Sequence, residues 1–234
     1  YRNPDVKKHL LIASELQEDG QLAILGTYFA EHPEQVNAEI RHLLQQAAEA
    51  CALPRTVETY NALISGLNAS SDSTQDLYVF KGENVPDYKT LANFNDTISV
   101  TIHTSKGIIA VDLYPLIAPG TVAAFLKLAD SGFYDQKRFH RVVPNFVIQG
   151  GCPRGDGWGS SDDVIRSEFS AESYSTGALG MASAGKDTES CQWFITHSPT
   201  PHLDGRYTLF GRVSSGMEVV RQITEGDTIE KILY

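Results

Sequence analysis

The sequence lacks the features that several classes of protein require. No apolar run in its 234 residues approaches the roughly 18 residues needed to span a bilayer. Basic residues are scarce, since 19 lysines and arginines stand against 29 aspartates and glutamates, for a formal net charge of −10. Nucleic acids and anionic membranes select for a basic surface. The composition therefore predicts a soluble globular protein with no membrane span and no nucleic-acid partner.

Cysteine is also scarce, with three residues in an odd and widely separated set. Such a set provides no disulfide framework and indicates a reducing compartment. The chain starts at Tyr1 rather than at a methionine, so we expect it to be a piece of a longer chain. The lack of a signal peptide therefore leaves both the cytoplasm and the periplasm open as the location.

Three kinds of site are disfavoured because their motifs are incomplete. No CxxC or HxxxH spacing supports a metal site. The glycine-rich stretch 150–159 is not followed by Gly-Lys-Ser or Gly-Lys-Thr, which favours a turn-rich loop over a phosphate cradle. Ser190 and Ser198 lie outside a GxSxG elbow, which disfavours a hydrolase. We expect neither a metal nor a cofactor.

What is present is the run FHRVVPNFVIQGG at 139–151. Alternation along a strand would put one set of side chains on a common face, namely Phe139, Arg141 and Val143. Pro144 lacks a backbone donor and interrupts the ladder. Beyond it, Val147 and Gln149 would share one face of the strand, and Phe146 would lie on the opposite face. A lone arginine usually pairs with a carboxylate. A fixed cation among apolar side chains suits instead an enzyme that acts on an uncharged substrate.

A second informative stretch runs from 177 to 213 and contains MASAG at 181–185 and LDG at 203–205. With the first run, it resembles the bacterial-like members of the cyclophilin family of peptidyl-prolyl cis/trans isomerases, over about 96–234. These segments occur in family order and at family-like spacing. The resemblance implies a mainly β fold, a closed eight-stranded antiparallel barrel capped by two helices, with the substrate in a groove on its outer wall.

The resemblance also implies the residues of the site. Arg141 would be the catalytic arginine, assisted by Gln149. The implied substrate-binding residues surround a proline pocket: Phe146, Val147, Ala182, Ser183, Ala184, Gln192, Phe194, His202, Leu203 and Tyr207. The implied substrates are proline-containing peptides and unfolded proteins, whose folding the enzyme would assist, and no metal or cofactor is implied.

Four positions depart from the best-known eukaryotic pattern: Val147 replaces methionine, Ser183 asparagine, His202 tryptophan and Tyr207 histidine. The family's inhibitor cyclosporin A depends on that tryptophan, so we expect weak cyclosporin A binding with catalysis largely retained. Ser183 has a shorter side chain than asparagine, so we expect lower peptide affinity. A branched apolar residue still fills a pocket wall, and a tyrosine ring still closes the pocket.

The residue types suit the chemistry. Rotation about a peptide bond is resisted by about 18 to 20 kcal/mol because the nitrogen lone pair is delocalised into the carbonyl. A guanidinium against the prolyl nitrogen would hold that lone pair on nitrogen as the bond twists. The alternative is a peptide-binding module that uses the same groove and in which turnover is incidental.

Residues 1–67 predict a separate helical region of three or four amphipathic helices. Its clearest stripe has helical spacing: Val36, Ile40, Leu43, Leu44, Ala47 and Cys51. A small bundle and the end of a HEAT-like helical-repeat array are equally compatible with this pattern, and either could bind a protein partner. Residues 68–93 are interpreted as a linker and connector, with a short strand at 77–80, and 94–234 as the isomerase domain.

Local patterns predict three elements of that domain. Alternating apolar residues at 98–102 and 109–113, around a turn at 105–107, indicate a hairpin. A helix at 121–131 is expected to be capped by Thr121 and ended by Gly132. A second helix is expected around 216–223.

Overall fold

The computed structural model describes residues 6–16, 18–53, 56–71, 74–78 and 97–234. The chain divides into two compact units, Tyr1–Val79 and Phe80–Tyr234. Leu77 and Tyr78 are not part of a strand, in contrast to the strand predicted at 77–80, whose last two residues lie outside the described ranges. The connector predicted at 85–94 lies outside them as well. No helix within the described ranges is long and apolar enough to cross a membrane.

The first unit contains, in its described residues, four α-helices that share one apolar core. They are α1 (Val6–Leu16), α2 (Asp19–Glu31), α3 (Ala38–Glu49) and α4 (Val57–Ala69). The predicted stripe faces this core, where Ile40, Leu44 and Ala47 are buried. Asn37 caps α3, since its Oδ1 accepts hydrogen bonds from the amides of Glu39 and Ile40. The predicted helical region is thus confirmed, while the HEAT-like array stays a prediction.

Helices α2 and α4 pack backbone to backbone at two glycines. A Cβ atom added to Gly26 would lie 2.6 Å from the carbonyl carbon of Ala62, and one added to Gly66 would lie 2.8 Å from the carbonyl oxygen of Gly26. Only glycine fits at both positions, because each neighbour is main chain that a side-chain rotation cannot move.

The second unit is built on one antiparallel sheet of nine strands in its described residues. The strands are β1 (Ile98–Thr104), β2 (Gly107–Leu113), β3 (Lys137–Arg138), β4 (Arg141–Val143), β5 (Val147–Gly150), β6 (Ala178–Met181), β7 (Trp193–Thr196), β8 (Leu209–Ser215) and β9 (Thr228–Leu233). Two α-helices accompany them, α5 (Pro119–Asp130) and α6 (Met217–Gln222). The predicted hairpin is β1 and β2, with Val100 opposite Val111.

The sheet corrects the expectation of a closed eight-stranded barrel. Its strand order is β3-β9-β1-β2-β8-β6-β7-β5-β4, so that β3 and β4 form its two ends. The two strands are consecutive in the chain, yet within the described residues they do not pair with each other. At two and three residues they are too short to continue the ladder. The result is an open, curled half-barrel of nine strands.

An aromatic core lies inside the curl of the sheet. The rings of Phe139 and Trp193 meet edge to face, with centroids 5.9 Å apart, and those of Phe125 and Phe210 are 5.4 Å apart. Phe139 is fully buried here while Arg141 is exposed, so the common face predicted for them is wrong. The reason is that 139–140 lie between β3 and β4, outside any strand, and alternation does not carry across them.

Helix α5 begins two residues before its predicted cap. Thr121 lies inside the helix and is buried, and Ala118 occupies the cap position without a capping side chain. The carboxylate of Glu168 replaces the cap, accepting hydrogen bonds from the amides of Gly120 (2.9 Å) and Thr121 (2.8 Å). A negative charge at a helix amino terminus is favourable. The predicted end is confirmed, since Gly132 has a φ of 68° directly after the last turn.

We expect residues 94–234 to fold without the helical unit, because the aromatic core and the whole described sheet are made from this segment alone. A fragment starting at Phe94 should show a cooperative thermal transition and a β-rich circular dichroism spectrum. An insoluble fragment, or one without a cooperative transition, would contradict this.

Candidate functional site

A groove with a cavity volume of about 240 Å³ lies on the sheet of the second unit. Nine of the predicted site residues line it: Arg141, Phe146, Val147, Gln149, Ala182, Ser183, Phe194, Leu203 and Tyr207. They come from β4, β5, β7, the turn between β4 and β5, and the segments that follow β6 and precede β8. Ala184, Gln192 and His202 lie outside this lining set.

The register of the sheet sets the central residues in one row. Arg141 lies opposite Gln149, Gln149 opposite Phe194, and Phe194 opposite Gly180. Residues that are directly opposite in an antiparallel sheet share a face, so these positions are neighbours across four strands. The row places one cation beside an amide and an aromatic ring.

Arg141 is exposed at the rim of the groove. Its Nη1 lies 3.4 Å from Oε1 of Gln149, and its guanidinium carbon lies 5.7 Å from the centre of the Phe146 ring. Within the described part of the chain, no carboxylate forms an ion pair with it. The arginine therefore faces the groove as a cation held by an amide and an aromatic ring.

Gln192 lies behind the groove and connects Gln149 to the glycine-rich loop. Gln149 Nε2 donates a hydrogen bond to Gln192 Oε1 at 3.0 Å. Gln192 Nε2 donates in turn to the carbonyl oxygens of Gly157 and Gly159, both at 2.8 Å. This chain of hydrogen bonds orients the Gln149 amide so that its oxygen faces Arg141. Gln192 is 8% exposed and supports the groove from behind.

The floor of the groove is aromatic and apolar. Phe194 packs edge to face on Tyr207, with centroids 6.0 Å apart, and stacks on Tyr174 at 5.6 Å. Val147 and Leu203 are buried beside it. Tyr174 was not among the predicted site residues, because it stands in a stretch of sequence that carries no motif. Its phenol is buried, which raises its pKa.

Phe146 lies in the same groove as Val147 and Gln149, so the opposite face predicted for it is wrong. It precedes β5 in a turn, where its amide donates to the carbonyl of Val143, and strand alternation does not apply there. The His202 ring stacks on Phe146 with centroids 5.5 Å apart and an interplanar angle of 25°. His202 therefore extends the rim of the groove through Phe146. Ala184 is exposed on the neighbouring loop.

Comparison with known families matches residues 99–233 to the model described as cyclophilin type peptidyl-prolyl cis-trans isomerase. The chain belongs to the cyclophilin family. The matched range contains all twelve predicted site residues and none of the helical unit. The cyclophilin region is accordingly a peptidyl-prolyl cis-trans isomerase, an enzyme that accelerates rotation about Xaa-Pro bonds.

Similar proteins come from Bacillus subtilis, Synechococcus elongatus and Cryptosporidium parvum. Peptidyl-prolyl cis-trans isomerase B of Bacillus subtilis is 50% identical over 126 residues, which are 53% of this chain and 88% of the relative. The isomerase of Synechococcus elongatus is 45% identical over 130 residues, 55% of this chain and 90% of the relative. A crystal structure of a Cryptosporidium parvum cyclophilin has a TM-score of 0.56 at 30% identity and covers 58% of this chain and 96% of its own.

A second crystal structure of the Cryptosporidium protein was obtained in the presence of the dipeptide Ala-Pro. It has the same TM-score and identity, and 98% of its chain is covered.

Replacing Gly180 with alanine tests whether the floor of the groove controls peptide binding. A methyl group at this position would lie 2.5 Å from Cζ of Phe194 and would also meet the Tyr174 hydroxyl, so the Phe194 ring must shift. We expect Gly180→Ala to raise KM for an Xaa-Pro peptide about tenfold, or about 1.4 kcal/mol of binding free energy, because the displaced Phe194 ring no longer forms the same floor of the groove. Steady-state kinetics measure this.

The double variant Gly180→Ala with Tyr174→Phe is the matched control, because it removes the hydroxyl that the new methyl group meets. It should recover part of the affinity. An unchanged KM in Gly180→Ala would show that the position of Phe194 does not control binding.

Proposed function

We propose that the groove lined by Arg141, Gln149 and Phe194 is the catalytic site at which the chain accelerates cis–trans rotation about Xaa-Pro bonds in protein substrates. One observation carries the assignment, namely a guanidinium without a carboxylate partner among the described residues, at the rim of an apolar groove. A cation so placed is available to a ligand. The Ala-Pro dipeptide used with the Cryptosporidium relative supports a proline-containing ligand.

The proline ring of the substrate packs on the apolar floor formed by Val147, Phe194 and Leu203. Burial of the ring contributes binding energy, and removing water from the rim strengthens the electrostatic interaction of Arg141 with the bound amide. The preceding residue of the substrate then lies toward Ser183 and Ala182. Because serine is shorter than the asparagine usual in the family, this wall binds the peptide backbone more weakly.

Arg141 acts on the transition state. As the Xaa-Pro bond twists, the nitrogen lone pair returns from the carbonyl to nitrogen, and a nearby guanidinium proton stabilises it there. The interaction is stronger in the twisted state than in either planar state, which is the condition for acceleration. Arginine remains protonated at any working pH, so the mechanism requires no proton transfer from the enzyme.

Gln149 has two roles in this proposal. Its Oε1 lies 3.4 Å from Arg141 Nη1 and orients the guanidinium toward the groove. Its Nε2 is committed to Gln192, which keeps the amide from turning over. Gln192 is thus a positioning residue, and the glycine-rich loop supplies the carbonyl oxygens that hold it.

The domain boundaries 1–67, 68–93 and 94–234 belong to the same proposal. Isomerase chemistry is assigned to the last segment alone. A protein partner for the helical unit stays a prediction.

Replacing Arg141 separates isomerisation from peptide binding. We expect Arg141→Ala to lower kcat about 10²-fold or more, in line with the loss of one electrostatic transition-state contact, and to leave the thermal unfolding temperature unchanged because the side chain is exposed. A protease-coupled assay with an Xaa-Pro peptide measures the rate. Arg138→Ala is the matched control, since it removes an exposed arginine from the same segment.

An unchanged rate in Arg141→Ala would refute the mechanism. Turnover absent from the wild-type chain, with peptide binding retained, would instead favour the peptide-binding module.

His202 is expected to set the response to cyclosporin A. We expect weak inhibition of the wild-type chain and at least about tenfold tighter binding for His202→Trp, because tryptophan adds apolar area and an indole donor at the rim. Titration of isomerase activity with the inhibitor measures both. Nanomolar inhibition of the wild-type chain would refute the prediction, and uninhibited turnover of the two proteins serves as the control.

A further inference from the structure

A carboxyl group with no role in the proposed chemistry is fully buried behind the groove. Glu189 is 0% exposed. Its Oε1 accepts a hydrogen bond from the Thr208 hydroxyl at 2.9 Å, while Oε2 has no hydrogen-bond partner among the described residues. Buried acidic side chains are rare without a cation or several donors. Within the described part of the chain, Glu189 thus lacks the several donors that usually accompany a buried carboxylate.

The titratable groups around Glu189 add negative rather than positive charge. The charged ones are Asp187 on its own loop and Glu168 on the segment that caps α5, while the phenol of Tyr174, whose pKa is raised by burial, stays neutral beneath the groove floor. Burial raises the pKa of Glu189 to about 7, and the Asp187 and Glu168 carboxylates add to this, while the nearby Ser167 and Thr208 hydroxyls oppose it. The neutral acid is thus the form that fits this site.

The hydrogen bonds of Thr208 connect Glu189 to one wall of the groove. The Thr208 hydroxyl accepts from the amide of Glu168 at 2.8 Å and donates to Glu189, so both of its bonds are committed. Its carbonyl accepts from the amide of Met181 at 2.9 Å. Thr208 directly follows Tyr207, which lines the groove.

The opposite wall of the groove is connected to Glu189 through the loop that precedes this residue. Residues 182–188 run from β6 to Glu189 and include Ser183, which lines the groove. The loop is held by a reciprocal pair, in which the Ser167 amide donates to Asp187 Oδ1 at 3.0 Å and the Asp187 amide donates to Ser167 Oγ at 2.8 Å. A change at Glu189 therefore acts on both the Ser183 wall and the Tyr207 wall.

We propose that Glu189 is a positioning residue for the isomerase, which as a buried neutral acid bonded to Thr208 holds the loop carrying Ser183 against the segment carrying Tyr207. This rests on the proposed function of the groove. When Glu189 ionises, a charge is buried beside two carboxylates, and the loop must move to admit water. The peptide-binding walls then separate, while Arg141 and Gln149, on β4 and β5, keep their register.

The proposal predicts that peptide affinity falls as pH rises. The groove binds the peptide while Glu189 is protonated, which is below about pH 7. One pH unit above the pKa, about a tenth of the molecules retain the neutral acid, so apparent peptide affinity falls about tenfold. The loss appears in KM, and kcat changes little because the catalytic pair is held by other strands.

The experiment compares KM and kcat between about pH 6 and pH 8, for an Xaa-Pro peptide without titratable groups. The proteins are the wild type, Glu189→Gln, which keeps the shape and the acceptor but cannot ionise, and Glu225→Gln, which removes an exposed carboxylate of the same unit. We expect KM to rise about tenfold in the wild type and in Glu225→Gln, in proportion to the lost neutral fraction, and to stay nearly constant in Glu189→Gln. His202 is present in all three proteins, so it cannot produce a difference between them.

Amide NMR signals of the wild-type chain provide a second measurement that needs no variant. Ser183 and Tyr207 should shift with a common midpoint near pH 7, and Gln149 should not. A purely structural carboxyl would make the fold less stable as pH rises between the ordinary glutamate pKa and about 7, but it would leave KM unchanged.

A pH-independent KM in the wild type, a rise in KM retained in Glu189→Gln, or amide signals without the common midpoint would each overturn the proposal. If Glu189→Gln does not fold, the wild-type NMR titration decides. A failed Arg141→Ala test with the KM difference intact would remove the catalytic assignment and leave the positioning of the groove walls standing.

Discussion

Antiparallel register across β4, β5, β7 and β6 is the constraint on which the site depends. It sets Arg141 opposite Gln149, Gln149 opposite Phe194, and Phe194 opposite Gly180. A slip of one residue in any of these pairings would move a side chain of the row to the aromatic core, since successive side chains alternate between the two faces. The pairing therefore builds both the core and the groove, and the two cannot vary independently. Gly180 leaves the space in which Phe194 and Tyr174 stack.

Buried polar side chains support this row from behind. Gln192 transmits the geometry of the glycine-rich loop to Gln149, and every polar atom of its amide is used in doing so. In our proposal Glu189 likewise positions the groove walls that carry Ser183 and Tyr207, but its carboxyl group can gain or lose a proton. The difference is physical, because an amide is neutral at every pH whereas a buried carboxyl is stable only when protonated or paired. In this proposal the Arg141–Gln149 pair and the peptide-binding walls are therefore held by side chains that differ in their sensitivity to pH.

The helical unit is organised on another principle. Its four described helices share a single core, and α2 and α4 meet through Gly26 and Gly66 with main chain against main chain. Such close contact requires two glycines in register and fixes the crossing of the helices without any long side chain. The unit lies outside the residues matched to the cyclophilin family.

Local periodicity was sufficient to predict the β1–β2 hairpin, helix α6, the end of α5 at Gly132 and the helical region, while the residues proposed for the groove were implied by the resemblance to the cyclophilin family. Each of these depends on neighbours along the chain or on an ordered series of motifs. Tertiary structure decided the rest. Phe139 turns into the core and Phe146 into the groove because the chain leaves the ladder at both places. Glu168 replaces Thr121 as the cap of α5, and the short β3 and β4 leave the barrel open. Tyr174 and Glu189 gain their places only when segments distant in sequence pack together, because burial and opposing carboxylates are properties of the folded arrangement rather than of any local pattern.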